Sequence, residues 1–272
     1  MCDLCVMQSV KQRMLSRRRL FRTGAAGMAA AAVGSVVSAP AVRAASSSVV
    51  DMTHELHEDF PTWGGAQQLF REQQAFFDKD GFNLFEMRIN EHTGTHIDAP
   101  LHFSADGGTV AEIDVGNLVA PLCVVDISAR AAEDANTQLT PDDLKAWIAA
   151  NGDIPDGACV AMNSGWAANV NSDRFRNADD QGTQHYPGFH VEAVNMLMEE
   201  TGARSIGVDT LSLDFGQSPD FATHYSWLPS GRFGIECLAN LDQVPASGAT
   251  LVIGAPKVRG GTGGPARVLA LV

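Results

Sequence analysis

Positive charge is scarce in this chain. Its 272 residues hold 19 Lys and Arg against 32 Asp and Glu, a formal net charge of −13. Seven of the bases and one acid fall in the first 44 residues, so residues 45–272 keep 12 bases and 31 acids and a net charge of −19. So acidic a surface argues against nucleic acid or an anionic membrane as a partner. Cysteine is sparse as well. Of five, Cys2 and Cys5 stand at the very start. Cys123, Cys159 and Cys237 lie in apolar contexts and read as buried free thiols, although an oxidising compartment would permit one disulfide. Beyond residue 44 there is no apolar run long enough for a bilayer-spanning helix. Internal repeats and low-complexity linkers are absent too. The remaining 228 residues are enough for one sizeable core, so a single domain over 45–272 is the simpler expectation.

What is present begins at the N-terminus. Ser16-Arg17-Arg18-Arg19-Leu20-Phe21-Arg22 carries a twin arginine followed by two apolar residues and a base. An Ala- and Gly-rich stretch runs from Thr23 to Val42, and Val42-Arg43-Ala44 offers small residues where a signal peptidase reads. The pattern resembles a bacterial twin-arginine export signal, which implies a periplasmic protein whose residues 1–44 are removed. Cys2 and Cys5 then have no role in the mature chain.

Several short Val-, Ile- and Leu-rich runs read as strands: 84–89, 122–127, 159–163, 205–208, 250–255 and 267–272. Two helices are expected. Thr140-Pro141-Asp142-Asp143 supplies a cap, a proline at the first helical position and acids in the first turn, and Asn151-Gly152 ends that helix. The second spans about 191–201, with Val194, Leu197 and Met198 on one face and Gly202 as the stop. Strands alternating with a few helices indicate a mixed α/β fold. Residues 168–188 are polar and aperiodic and read as a surface loop.

One run concentrates the chemistry. Residues 92–102 read His-Thr-Gly-Thr-His-Ile-Asp-Ala-Pro-Leu-His. His92, His96, Asp98 and His102 share one parity, as in a segment turning its even-numbered side chains to one side. Imidazole nitrogen and carboxylate oxygen are the usual ligands of zinc, manganese or ferrous iron. Gly94, the β-branched residues and Pro100 disfavour helix. A straight strand would hold His92 and Asp98 roughly 20 Å apart, too far to share an ion. The chain must curl, and Gly94 supplies the backbone freedom to do so. The competing reading, four ordinary hydrogen-bonded residues, requires the shared parity to be accidental.

Five further histidines lie outside this run. His54 and His57, flanked by acids and Thr, are expected to face solvent. His185 and His190 flank Tyr186-Pro187-Gly188 and are candidates to line a pocket. His224 stands twelve positions before Glu236, an acid inside an apolar run. A buried carboxylate needs a metal or a partner such as Arg232.

On these residues the chain resembles the cyclase family of metal-dependent hydrolases, whose hallmark His-x-Gly-Thr-His-x-Asp-x-Pro-x-His is matched at every fixed position by 92–102. The likeness continues through Asp51, Pro61-Thr62-Trp63, Ser164-Gly165-Trp166, Tyr186-Pro187-Gly188, Gly207 to Asp214, Glu236-x-Leu-x-Asn240-Leu241 and Gly260-Gly261-Thr262-Gly263. That family includes bacterial kynurenine formamidases, isatin hydrolases and some dienelactone hydrolases. The resemblance implies a mixed α/β domain with a β-barrel-like core, of the swivelling β/β/α type. It implies His92, His96 and Asp98 as metal ligands, His224 and Glu236 as ligands of a second ion, and His102 as the catalytic proton shuttle. It also implies homodimers or homotetramers with sites near a subunit contact. The loop 168–185 is longer than in the compact formamidases, and the cytosolic formamidases lack an export signal.

The reaction implied is hydrolysis of a C–N amide bond in a small aromatic amide or lactam by metal-activated water. One or two divalent ions per subunit, zinc or manganese, are expected. Twin-arginine export of a folded protein would let it take up manganese before leaving the cytoplasm. Trp63, Phe103, Trp166, Tyr225 and Trp227 are candidates for the substrate pocket or for the core. A lactone hydrolase of the same family is the alternative. Another is a non-catalytic periplasmic metal- or solute-binding protein, against which His102, a titrating group beside the ligands, argues.

Overall fold

The computed structural model describes residues 48–272, and the expected export signal lies outside them. Thirteen strands are present: β1 Val49–Asp51, β2 Leu69–Ala75, β3 Leu84–Ile89, β4 His96–Asp98, β5 Val119–Asp126, β6 Gln138–Leu139, β7 Cys159–Asn163, β8 Gly188–Phe189, β9 Ser205–Val208, β10 Phe233–Glu236, β11 Ala249–Gly254, β12 Gly263–Pro265 and β13 Arg267–Leu271. Nine form one curled sheet in the order β1-β13-β11-β5-β7-β9-β10-β4-β12. Its centre, β5-β7-β9-β10, is parallel, and the strands flanking it pair antiparallel. The mixed α/β class expected from the strand and helix pattern is the one observed. By contacts, Glu72–Glu86 falls in one compact unit and the rest of the described chain in another. The second unit carries the nine-stranded sheet, both long helices and the candidate site.

Strand alternation divides the core into two layers. In β5, Cys123 and Val125 enter the cluster shared with the helices, while Leu122 and Val124 enter the opposite cluster. In β7, Val160 and Met162 join the first, and Cys159 and Ala161 the second. Period-2 side-chain direction produces this division without any polar intrusion. It also decides the thiols. Cys123 and Cys159 sit on neighbouring strands but on opposite faces, and all three described cysteines are free and buried. Burial pushes the Cys123 and Cys159 thiols up to about 12, so neither supplies a thiolate at neutral pH.

The helix Pro141–Asn151 begins where the cap signals placed it. Asp143 accepts from both the Thr140 amide and hydroxyl, and Gly152, with φ of 89°, ends the helix. The helix Val191–Glu200 buries Ala193, Val194 and Leu197 against the first layer. Burying each of the larger side chains contributes about 1.5–3 kcal/mol.

Residues 168–188 differ from a bare surface loop. They contain the end of one 3₁₀ turn, Trp166–Asn169, all of another, Asp173–Phe175, and an antiparallel bridge, Ala178 with Gln184. Phe175 and Tyr186 are fully buried there, in a cluster with Phe60 and Trp166. Polar composition hid these two aromatic anchors.

Candidate metal centre and aromatic cleft

The 92–102 run curls as its composition demands. Gly94 takes φ of 70°, and the bend 91–95 runs into β4. A Cβ on Gly94 would come within 2.8 Å of Leu56 Cδ1, so packing as well as φ restricts this position. In β4, His96 and Asp98 share a face and Ile97 points into the core. Pro100 then opens a 3₁₀ turn, Pro100–His102, that folds His102 back over His92, with ring centroids 3.8 Å apart and planes 19° from parallel. Asp98 has glycine opposite it on both neighbouring strands, Gly234 on β10 and Gly263 on β12.

The far half of the site comes from β10 and from the short helix Ala222–Trp227. Glu236 lies directly opposite His96 in register, which brings Glu236 Oε2 to 3.4 Å from His96 Nε2. His224 Nε2 stands 3.2 Å from Glu236 Oε1 and 3.7 Å from Asp98 Oδ2. Arg232 does not neutralise Glu236; its Nε donates to the Ala203 carbonyl instead. Glu236 is held by the Leu213 amide, which donates to Oε1 at 2.8 Å.

Three imidazoles are oriented from outside. His96 Nδ1 donates to the Gly94 carbonyl at 2.8 Å, and His224 Nδ1 donates to Asp214 Oδ2 at 2.6 Å. His92 Nε2 meets Thr262 Oγ1 at 2.9 Å, while its Nδ1 stands 2.7 Å from Asp98 Oδ1. Each ring therefore ties one nitrogen outward and turns the other inward. His96 Nε2 and Asp98 Oδ2 are buried with no hydrogen-bond partner. Two buried orphaned ligand atoms, ringed by oriented imidazoles and a second carboxylate, fit a divalent cation, because each would otherwise carry an uncompensated desolvation cost. His92, His96 and Asp98 offer ligand atoms within 4.8 Å of one another, and so do Asp98, His102 and His224. His102 thus stands within reach of the same centre as well as of the cleft.

Electrostatics point the same way. Burial alone would lower the His96 pKa, but the Asp98 and Glu236 carboxylates raise it to about 9. His224, also opposed by burial, is raised well above its ordinary value by Asp214, Asp98 and Glu236. A proton is the cation these carboxylates hold when no metal is bound. His102 goes the other way: burial pushes it down to about 4.

A cleft of about 320 Å³ opens over these groups. His92, His96, His102, His224 and Glu236 line its base. Trp63, Phe103 and Phe221 form an aromatic wall, with Phe221 5.7 Å from Trp63 and 5.6 Å from Phe103 by ring centroids. Gln68, Asn90 and Ser212 add polar edges. Cys237 also reaches the cleft, but burial and the adjacent Glu236 hold its thiol well above the ordinary range, which removes it as a nucleophile.

Several expected pocket groups stand elsewhere. Trp166 is 2% exposed and donates Nε1–H to the Phe175 carbonyl, so it belongs to the core and not to the cleft. Asp209 causes this: it accepts from Ser164 Oγ at 2.5 Å and from the Trp166 amide at 2.9 Å, turning the Ser164-Gly165-Trp166 segment inward. Trp227 is likewise core, its Nε1–H donating to the Phe233 carbonyl. Tyr225 is 61% exposed and does not line the cleft; it meets Phe103 edge-on at 4.9 Å. His185 bonds Asn136 and Asp179, and His190 accepts from the Glu192 amide at a helix start, so neither lines the cleft. His57 faces solvent as expected, but His54 is half-buried against Phe60 and Phe175, and burial lowers its pKa. Phe221 escaped the sequence reading. Its place in the wall depends on a left-handed backbone, φ of 52°, which no local signal announces for Phe.

A sheet that presents imidazoles and carboxylates around orphaned ligand atoms, below an apolar cleft, defines a metal-dependent hydrolytic centre. The family model for cyclases matches residues 50–215. The isatin hydrolase of Roseibium aggregatum is 38% identical, over 72% of this chain and 78% of that protein. The kynurenine formamidase of Salinibacter ruber is 25% identical, over 82% of this chain and 96% of that protein. Among solved structures, isatin hydrolase A from Labrenzia aggregata bound to benzyl benzoate aligns with a TM-score of 0.77 at 37% identity, covering 83% of this chain and 93% of that one. An isatin hydrolase bound to the product analogue thioisatinate aligns with the same TM-score at 35% identity, over 82% and 92%. The chain belongs to the cyclase family of metal-dependent hydrolases.

Proposed function

We propose that this protein hydrolyses the C–N bond of a small planar aromatic lactam of the isatin type, using a divalent ion held by His92, His96, Asp98, His224 and Glu236. The observation that carries the reading is the pair of buried, unpartnered atoms His96 Nε2 and Asp98 Oδ2 beneath an aromatic-walled cleft. The higher identity to isatin hydrolase than to kynurenine formamidase supports a cyclic amide over an open-chain formanilide.

A divalent ion in this cradle supplies Lewis acidity, drawing electron density from the amide carbonyl and making water a better acid near neutral pH. The chain's own groups do the rest. Trp63, Phe103 and Phe221 give a flat ring system three aromatic surfaces and keep bulk water from the reacting carbon. His102 is the proton carrier. It is neutral at pH 7 because burial lowers its pKa to about 4, and no protein group engages its ring nitrogens in a hydrogen bond among the described residues. Because burial disfavours its charged form, His102 holds a proton only in passing, taking the one released as the water oxygen adds to the carbonyl carbon. It returns that proton to the nitrogen as the C–N bond breaks. Glu236, fixed by the Leu213 amide, keeps His96 and His224 facing inward.

Manganese is a candidate beside zinc, since imidazole and carboxylate ligands accept both. Residues 1–44 read as a twin-arginine signal, which supports export to the periplasm and suits breakdown of an environmental aromatic. Assembly as a homodimer or homotetramer follows from the family resemblance.

The test is a purified-protein assay of isatin against N-formylkynurenine, with metal analysis, before and after chelation. Isatin opening that disappears on chelation and returns with Mn²⁺ or Zn²⁺ is the expected result. Faster cleavage of N-formylkynurenine would move the substrate to open-chain anilides. Tight metal retention with no turnover of any amide or lactone would make the protein a binder.

A further inference from the structure

The Gly260-Gly261-Thr262-Gly263 segment has no part in the mechanism above, yet it packs against the first histidine of the cradle. Glu91 Oε2 accepts two hydrogen bonds from Thr262, one from its amide at 3.0 Å and one from its hydroxyl at 2.5 Å. A hydroxyl has one proton, and this one is committed to Glu91. Toward His92 Nε2, 2.9 Å away, Thr262 Oγ1 can act only as an acceptor. His92 must then carry a hydrogen on Nε2, which leaves Nδ1 as the nitrogen turned toward the cradle. Nδ1 stands 2.7 Å from Asp98 Oδ1, a separation at which either a ring proton or a metal ion lies between the two.

We propose that Glu91 and Thr262 are a positioning pair that sets the tautomer and ring angle of His92 for metal binding; this rests on the metal-site reading above. Neither residue lines the cleft, so neither is catalytic. The glycines explain themselves on this view. A Cβ at Gly261 would come within 2.9 Å of Glu91 Oε1, and one at Gly263 within 2.3 Å of the Ile97 carbonyl and 2.8 Å of His92 Cε1. Thr262 can reach both partners only if its neighbours lack side chains. The Ala99 amide, donating to the Thr262 carbonyl at 2.8 Å, pins the segment to the end of β4. The other inward-turned imidazoles solve the same problem more simply, His96 with the Gly94 carbonyl and His224 with Asp214. His92 uses a relay whose hydroxyl lies 170 residues further along the chain.

The experiment is a Mn²⁺ titration of the metal-free protein and of Thr262→Val, Thr262→Ser and Glu91→Gln, with the ¹⁵N side-chain spectrum of His92 in each. Thr262→Val should weaken Mn²⁺ binding about ten- to hundredfold, while Thr262→Ser, which keeps the hydroxyl, should stay within about threefold of the parent. Glu91→Gln should stay near the parent, because its amide oxygen can still accept from both the Thr262 amide and the Thr262 hydroxyl. In the Zn²⁺-loaded proteins, whose ion is diamagnetic, the spectrum should show the His92 proton on Nε2 in the parent and Thr262→Ser, and a mixture in Thr262→Val. A folded Thr262→Val protein that binds Mn²⁺ as tightly as the parent overturns the proposal, as does a Zn²⁺-loaded parent in which His92 carries its proton on Nδ1. Should Thr262→Val fail to fold, Thr262→Ala with parental affinity and tautomer overturns it equally. A parent that binds Mn²⁺ and loses that affinity in Thr262→Val, yet opens no lactam or amide, would sink the hydrolase reading alone and leave the positioning pair upheld.

Discussion

The base of the cleft and its wall are built on different principles. At the base, His96, Asp98, His224 and Glu236 are buried, and His92, His96 and His224 are each held by a hydrogen bond from outside the cradle. In the wall, Trp63 is 49% exposed, and Trp63, Phe103 and Phe221 meet through ring contacts. Hydrogen bonds are directional and cost heavily when left unmade in the interior. Ring contacts are weaker and tolerate rearrangement. A rigid base under an adaptable wall separates what reaction is done from what molecule undergoes it.

Substitutions should reveal this contrast. The largest effect is expected at the base. His96→Ala removes a ligand from the middle of β4 and should abolish both metal retention and hydrolysis; full turnover by metal-poor His96→Ala protein would break the assignment. Next comes Asp214→Asn, which leaves His224 without its charged acceptor and should cost about ten- to hundredfold in metal affinity, read by competition with a chelating dye.

The wall should respond more gently. Phe221→Ala loses one of three stacking surfaces, worth about 1–1.5 kcal/mol, so KM for isatin should rise about tenfold with kcat little changed. A fall in kcat with constant KM would place Phe221 in the chemistry instead. Trp166→Phe serves as the matching control from the core. It forfeits the hydrogen bond to the Phe175 carbonyl and should destabilise the fold by about 1–3 kcal/mol without altering KM, measured by denaturant unfolding beside the isatin assay.

The subtlest test is by pH. His96 has its folded pKa raised to about 9, above the ordinary 6.5. In the metal-free protein its contribution to stability is therefore complete below about 6.5 and lost as pH rises through about 9. An incoming metal must displace that proton. Metal binding at pH 7 should release about one proton from His96, fewer as pH approaches 9, and apparent affinity should climb over the same window. Calorimetry in buffers of different ionisation heat checks this; release that does not change with pH would remove His96 from the ligand set.

Legibility from sequence follows the same contrast. The base was largely readable because six residues carry chemistry in their identity, His92, His96, Asp98, His102, His224 and Glu236, and the first four share one parity in eleven positions. The helix starts were readable from Thr140 and Pro141, whose effects act within one turn. Strands β7 and β9 were placed to the residue from their branched apolar runs. Strand β4 was legible as part of the curled 92–102 run, read as a strand running into a tight loop, although only three of its residues pair and the bend 91–95 precedes them. The wall was half legible. Trp63 and Phe103 are in it, but Trp166 and Trp227 look alike in composition and lie in the core, drawn there by Asp209 and by the Phe233 carbonyl.

By itself the sequence determined the ligand chemistry of 92–102, the need for a bend at Gly94, the two helices and the excess of acids over bases. These rest on residue identity and on interactions within a few positions. Only the tertiary structure decided that Glu236 faces His96 across β10 and β4, that Asp214 stands behind His224, that Thr262 reaches His92, and that Phe221 joins the wall. Each depends on sheet register or a long-range backbone turn. Register is set by which apolar faces close together over the whole sheet, and no local run of residues encodes that.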